Sequence, residues 1–153
     1  MTRPRTLLTL AFAMQLVAWF VRVHRDGITL RSGLPGWEAW WLSTGVVLHP
    51  IAEHATWWTF ILCAISSLST VLFLGAAPFL LRSRKFLRTS AWLAAISCVV
   101  NTHWLFTLAS TWSELRPGYY LWWLSFGALS AAFFALAHEN VEPALKSRAA
   151  TAS

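Results

Sequence analysis

The 153-residue chain is 57% hydrophobic and only 12% charged, with a mean hydropathy of +0.54, whereas soluble domains carry roughly a quarter charged residues. A water-soluble fold of this length has too little interior to bury so much apolar surface, so the composition predicts a single all-α membrane domain. The net charge of +6 does not indicate nucleic-acid binding, because the cations lie at the ends of apolar runs and form no basic helix face.

Four apolar runs have the length of membrane-spanning helices or come close to it, since a bilayer takes about 20 helical residues. The first run, 6–23, follows two arginines as a signal peptide would, but no cleavage site comes after it, so we predict an uncleaved helix. The other three runs are 55–81, 90–110 and 119–138. Residues 1–138 are therefore predicted to form one polytopic bundle of four transmembrane helices.

A shorter apolar segment, 37–49, lies between the first two predicted spans. It follows a glycine- and proline-rich turn at 33–36, contains Gly45 and ends before Pro50. Because it is too short to cross the hydrocarbon core, we predict an interfacial or re-entrant helix on the outer side of the membrane.

The loop cations predict the orientation. One side of the membrane holds eight (Arg3, Arg5, Arg82, Arg84, Lys85, Arg88, Lys146 and Arg148), and the other holds four (Arg22, Arg25, Arg31 and Arg116). Short basic loops stay in the cytoplasm, so both termini are predicted there, with the chain in a bacterial inner membrane. The cytoplasmic tail, 139–153, contains Pro143 and ends in alanine, serine and threonine, which predicts disorder.

Tryptophan is concentrated on the predicted outer side. Of the eleven tryptophans, only Trp92 lies near the cytoplasmic end of its helix. An aromatic belt explains part of this pattern, but a belt normally serves both interfaces, so a docking surface or a pocket for a flat apolar ligand stays open. Adjacent helical positions point about 100° apart, so one member of a tryptophan pair can pack inward while the other meets a partner. The predicted docking residues are Trp40, Trp41, Trp122 and Trp123.

His103 is an ionisable side chain within a predicted span. It lies about 21 Å above an inner boundary near Thr89, and Asn101 lies about 3 Å lower. Three serines are predicted near that level: Ser66, Ser67 and Ser125. A neutral imidazole bonded to such a hydroxyl is one explanation. Contact with a cofactor is the other, and it gives His103, Asn101 and Trp104 as candidate cofactor-binding residues.

No catalytic or metal site is predicted. The segment 49–54 has two histidines five residues apart with a proline between them, unlike the spacing of zinc-protease helices. Cys63 and Cys98 do not form the paired motif of a thiol-disulfide enzyme. Transport by this chain alone is disfavoured, because no acidic or basic residue lies well inside the last three predicted spans.

Two stretches carry a family resemblance: Gly36-Trp37-Glu38-Ala39, and Pro117-Gly118-Tyr119-Tyr120-Leu121-Trp122. They resemble patterns in uncharacterised small four-helix bacterial inner-membrane proteins. The resemblance covers a small part of the chain. It implies a fold and a location and carries no activity.

The expected function is that of a non-enzymatic membrane protein, because no nucleophile, base and orienting group recur at usable spacing. The leading hypothesis is an accessory or structural subunit of a larger inner-membrane assembly, acting through its tryptophan-rich outer half. The alternatives are a binder of an apolar cofactor or lipid, such as a quinone, haem or pigment, and a membrane immunity or stress protein. No cofactor is required by the sequence, and the expected partners are the lipid bilayer and other membrane proteins.

Overall fold

The computed structural model describes residues 3–24, 33–50, 56–76, 86–107 and 115–151. This part of the chain is all-α apart from a short antiparallel ribbon of two strands. Helix α1 is Arg3–Phe20 and is followed by strand β1, Arg22–His24. Strand β2, Leu34–Pro35, leads directly into helix α2, Gly36–Leu48, which corresponds to the short outer segment predicted at 37–49.

Helix α3, Trp57–Val71, begins at a side-chain cap. The hydroxyl of Thr56 accepts the N–H of Thr59 at 3.2 Å, which satisfies one of the free donors of the first turn. At its other end the helix widens into a π-helical turn, Leu72–Ala76. The end of the predicted second span, 77–81, lies outside the described residues.

Helix α4, Leu87–Asn101, is separated from the short helix α5, His103–Thr107, by one residue. At this break the N–H of Thr102 bonds to the carbonyl of Val99 at 3.1 Å, three residues back. The N–H of Leu105 bonds in the same way to Thr102, at 3.0 Å. The helix is therefore tightened locally. In a regular α-helix the N–H of Leu105 would bond to the carbonyl of Asn101, so this carbonyl needs another donor here.

Helix α6, Pro117–Thr151, is the longest element of the described chain. A proline suits the first helical position, where an N–H is not needed. The predicted disorder of the tail is wrong as far as residue 151, because the helix continues through Pro143. Alanine, leucine, lysine and arginine follow that proline. They are strong helix formers, and extending an existing helix is easier than starting one.

Helix α6 packs against both α1 and α4, while α3 packs against α2 and α4. Small residues bring α4 and α6 close together: a Cβ at Gly127 would lie 3.7 Å from the sulfur of Cys98, and the hydroxyl of Ser130 donates to the carbonyl of Ala91 at 2.9 Å. The buried apolar cluster draws on α1, the π-helical turn, α4 and α6. It comprises Ala11, Phe73, Leu87, Ala91, Ala94, Phe126, Leu129 and Phe133.

The exposed side chains differ from those of a water-soluble protein, and polar side chains are buried beside the apolar cluster. Many buried side chains carry a hydroxyl or an amide, namely Gln15, Ser66, Ser67, Ser69, Thr70, Ser90, Asn101, Ser125 and Ser130. Large apolar side chains are exposed on all four long helices, for example Leu16, Phe20, Trp57, Leu68, Trp92, Val99, Tyr120 and Leu124. Such a surface would be unfavourable in water.

Two helices in the described part of the chain are long and apolar enough to cross a membrane. They are Trp57–Gly75, of 19 residues, and Pro117–Glu139, of 23 residues, and they coincide with the second and fourth predicted spans. The first predicted span is a shorter apolar helix, Pro4–Phe20. The third is divided at Thr102, and its predicted end at 108–110 lies outside the described residues.

Candidate binding cavity

A cavity of about 240 Å³ lies among α1, the strand ribbon, α2, α3, α5 and the beginning of α6. Its wall contains five aromatic side chains, which are Trp19, Trp40, Trp104, Tyr119 and Trp122. Three hydroxyl residues, Ser43, Ser66 and Thr70, add to the phenol of the tyrosine. None of the described residues that line the cavity is charged. The site is thus aromatic and neutral, with a few polar atoms.

Three of the tryptophans are oriented by hydrogen bonds to one helix, α3. The bonds run from Trp104 Nε1 to Ser66 Oγ at 2.9 Å, from Trp122 Nε1 to Thr70 Oγ1 at 3.1 Å, and from Trp40 Nε1 to the Ser67 carbonyl at 3.4 Å. Residues 66 and 70 are one helical turn apart, so their hydroxyls share a face of α3. Because oxygens of α3 accept the indole N–H groups, the apolar faces of these rings form the cavity wall.

Asn101 is fully buried and makes its hydrogen bonds within the protein. Its Oδ1 accepts from the hydroxyl of Ser66 at 2.8 Å. Its Nδ2 donates to Ser69 Oγ at 2.9 Å and to the carbonyl of Ser97 at 2.8 Å. Its own carbonyl, next to the break between α4 and α5, accepts from the hydroxyl of Tyr119 at 2.8 Å. Asn101 therefore ties α3, α4 and α6 together beside the cavity.

His103 lies against the cavity wall and is not one of the lining residues. Its Nδ1 is 2.7 Å from the carbonyl oxygen of Val100, and its ring lies 4.7 Å from that of Trp104 between centroids. Of the three predicted cofactor-binding residues, the structure places Trp104 on the wall, with Asn101 and His103 in the layer that supports it. A direct ligand contact at His103 or Asn101 stays a prediction.

The members of each predicted docking pair separate. Trp40 and Trp122 line the cavity. Trp41 is 62% exposed, and Trp123 donates its indole N–H to the carbonyl of Cys98 at 2.9 Å, between α6 and α4. The pairs therefore contribute one inward ring each, and Trp41 is the member left at the surface.

Two glycines set the positions of the elements around the cavity. A Cβ at Gly36 would overlap the carbonyl oxygen of Ala18. A Cβ at Gly118 would lie 2.7 Å from the carbonyl oxygens of Val21 and Arg22. The beginnings of α2 and α6 thus rest on the backbone where α1 ends. The close approach of these backbones is the structural reason for a glycine at each position.

Sequence reasoning missed Trp19, Tyr119 and the α3 hydroxyls as parts of one site. The available signal was the four-residue spacing of Ser66 and Thr70 within an apolar helix, since a buried hydroxyl there needs a partner. Nothing in the sequence says that the partners are indoles 38 and 52 residues further along the chain.

Within the described part of the chain, no three His, Cys, Asp or Glu side chains are grouped closely enough to hold a metal ion. Cys63 and Cys98 are both free thiols. No family model, curated protein or solved structure matches the chain. The chemistry of the cavity is therefore the basis on which a function is inferred.

Proposed function

We propose that the chain is an integral membrane protein that binds a neutral, apolar small molecule in the aromatic cavity. The observation that carries this proposal is the uncharged wall of aromatic rings, three of them oriented by hydrogen bonds to α3. Small-molecule sites are usually concave and mostly apolar, with a small number of placed polar groups. The cavity has this form, and its walls come from both ends of the chain.

The membrane placement is supported by the exposure of large apolar side chains together with the burial of polar ones. Large apolar side chains face outward on α1, α3, α4 and α6, while the hydroxyl and amide side chains face inward, as expected where lipid replaces water. Helix α1, with 18 residues, is about 27 Å long, close to the roughly 30 Å of a hydrocarbon core. We infer four spans, near 6–23, 55–81, 90–110 and 119–138, with α2 as an interfacial or re-entrant helix.

The orientation proposed is the one that the loop cations favour. Eight cations lie on the side of both termini and four on the side of α2, so the termini and the loop between α3 and α4 are cytoplasmic in an inner membrane. The cavity then lies in the outer half of the bilayer. A ligand would reach it from the lipid or from the outer surface.

The volume of the cavity limits the size of the ligand that it can hold. An engineered cavity of about 150 Å³ accepts benzene, so a cavity of about 240 Å³ suits one or two fused rings or a short chain. A haem is a larger macrocycle with two carboxylates, and the wall offers those carboxylates no cation. A quinone-sized ring or a lipid chain therefore fits this cavity better than haem does.

Equilibrium dialysis of naphthalene against the full chain in mild detergent tests this function, with protein-free micelles as the reference. We expect saturable binding of one molecule per chain. Ala39→Leu adds bulk to the cavity wall and should abolish that binding. Ala131→Leu makes the same change at an exposed position on α6 and should leave it intact. Binding that rises linearly with naphthalene, or survives Ala39→Leu unchanged, would contradict the proposal.

A second candidate is the accessory subunit of a larger assembly. Four exposed tryptophans at the proposed outer side of the described chain favour it: Trp37 at 47%, Trp41 at 62%, Trp57 at 72% and Trp58 at 55%. Lipid anchoring spreads its energy over many rings, whereas a protein interface concentrates it in a few. Copurification of a stoichiometric partner that is lost with Trp41→Leu alone, with the thermal stability of the isolated chain unchanged, would support this candidate.

A further inference from the structure

We infer that the ligand of this cavity carries a hydrogen-bond donor, and that the site prefers a hydroxylated ring, such as a phenol or a quinol, over its carbonyl or ether counterpart. The inference rests on the proposed function, because it names the class of molecule that the same cavity selects. Most polar hydrogens of the cavity wall are already used in hydrogen bonds within the protein.

Each hydroxyl of the wall has a protein partner. Tyr119 donates to the carbonyl of Asn101 at 2.8 Å. Ser66 donates to Asn101 Oδ1 at 2.8 Å, and Thr70 donates to the carbonyl of Ser66 at 3.2 Å. The remaining one, Ser43, is hydrogen-bonded with the thiol of Cys63. A hydroxyl has a single hydrogen to give, so three of these four groups have none left for a ligand.

The indole N–H groups of three lining tryptophans are committed in the same way. Trp40, Trp104 and Trp122 all donate to α3, and indole has no acceptor. These bonds leave the rings as apolar surfaces only. Of the described lining tryptophans, only Trp19 has no such bond, so most of the donors that could bond to a carbonyl ligand are occupied.

Acceptor capacity remains on the same wall. A hydroxyl oxygen has two lone pairs. Ser66 and Thr70 each accept one indole N–H, which leaves each with one lone pair. Tyr119 accepts none of the hydrogen bonds described above and retains its lone pairs. Even with Trp19 and Ser43 counted as donors, the cavity offers more acceptors than donors, and a ligand with an O–H complements it better than a ligand with only C=O groups.

The absence of charge among the described lining residues selects the neutral form of such a ligand, because an anion or cation would be desolvated with no counter-charge. Combined with the size of the cavity, this gives a neutral one- or two-ring molecule with at least one hydroxyl. For a quinone-type molecule, the reduced form presents two hydroxyl donors and the oxidised form presents two acceptors. The wall then favours the reduced form.

Two matched probes test the inference: 2-naphthol, which has a donor, and 2-methoxynaphthalene, which keeps the oxygen and the rings but has none. Dissociation constants are measured by equilibrium dialysis with the full chain, corrected for partition of each probe into empty micelles. A net hydrogen bond within a protein corresponds to about a threefold to tenfold change in affinity. We expect 2-naphthol to bind more tightly by about that factor.

The variant Thr70→Val sharpens the test, because it removes a lone pair from the wall and frees the indole N–H of Trp122. The preference for 2-naphthol should fall or reverse. Thr102→Val is the matched control, since Thr102 also accepts an indole N–H, from Trp123 at 3.1 Å, and donates to a main-chain carbonyl at 3.0 Å, yet does not line the cavity. Its ratio of affinities should equal that of the unaltered chain.

The outcomes separate this inference from the proposed function. Tighter binding of 2-naphthol that is lost with Thr70→Val and kept with Thr102→Val supports both. Equal affinities, or tighter binding of 2-methoxynaphthalene, overturn the donor preference and leave apolar binding in place. Saturable binding by neither probe overturns both.

Discussion

The hydroxyl of Tyr119 donates a hydrogen bond of 2.8 Å to the main-chain carbonyl of Asn101, joining α6 to α4 where α4 breaks. The break draws the next N–H groups into bonds three residues back, which leaves this carbonyl to another donor. In the proposed membrane placement, no water replaces such a donor at this depth. The phenol is therefore the group that makes the break compatible with burial.

Replacing Tyr119 by phenylalanine should destabilise the chain by about 1–3 kcal/mol, the usual effect of leaving a buried polar group without a partner. Thermal unfolding in detergent measures the change. Tyr120→Phe is the control, because that neighbouring ring is 37% exposed, and its loss of a hydroxyl should change stability by less than about 0.5 kcal/mol. Equal effects of the two substitutions would remove Tyr119 from this role.

The glycines at the two close backbone contacts should not tolerate a methyl group. Gly118→Ala places a Cβ 2.7 Å from two carbonyl oxygens, and overpacking of this kind destabilises by about 1–3 kcal/mol. Gly36→Ala should do the same against Ala18. Gly45→Ala is the matched control within α2, since its Cβ would meet nothing within 4 Å. There the better helix former should stabilise by about 0.5–1 kcal/mol. The unfolding midpoint should fall in Gly118→Ala and Gly36→Ala and rise in Gly45→Ala.

Two buried amides should differ in their contribution to stability. Asn101 uses both side-chain atoms in bonds to Ser66, Ser69 and Ser97, so Asn101→Leu should destabilise by about 1–3 kcal/mol. Gln15 accepts from Ser125 at 2.6 Å, but its Nε2 has no partner in the described part of the chain. Gln15→Leu removes that unpaired donor and should change stability little. A larger loss for Gln15→Leu than for Asn101→Leu would contradict this ranking.

The proposed orientation predicts the result of reporter fusions. A periplasmic reporter should be inactive at Ser83 and at the C-terminus and active at Glu114, because the side richer in cations stays in the cytoplasm. Neutralising Arg82, Arg84, Lys85 and Arg88 together should scramble the orientation. Periplasmic activity at Ser83 in the unaltered chain would overturn the four-span topology.

The sequence predicts the helical segments well where the signal is local. The predicted segments 37–49 and 119–138 begin within two residues of α2 and α6, because glycine and proline mark these starts in the chain itself. The tail shows the limit of such signals. Pro143 and a small-residue ending predicted disorder, whereas the residues between them are good helix formers that extend α6 to residue 151.

The cavity lay beyond sequence reasoning for a different reason. Its wall depends on which acceptor each indole finds, and the partner of Trp122 is 52 residues away, on α3. The pattern at Trp40/Trp41 and Trp122/Trp123 predicts that one ring of each pair turns inward, but not that the inward rings meet. Likewise, depth along a helix places Asn101 and Ser66 at one level, while the bonds they form emerge only from the packed bundle.

The contact of Gly118 with Val21 and Arg22 has a consequence for biosynthesis. Leu115, Tyr119 and Trp122 are the last lining residues to be synthesised, and Gly118, which lies between them, packs on the backbone at the end of α1. If the chain inserts into the membrane as proposed, a ribosome-bound chain with only its earlier helices in place still has an incomplete wall. Binding of the proposed ligand would then require that the first and last helices have met, and would report that insertion is finished.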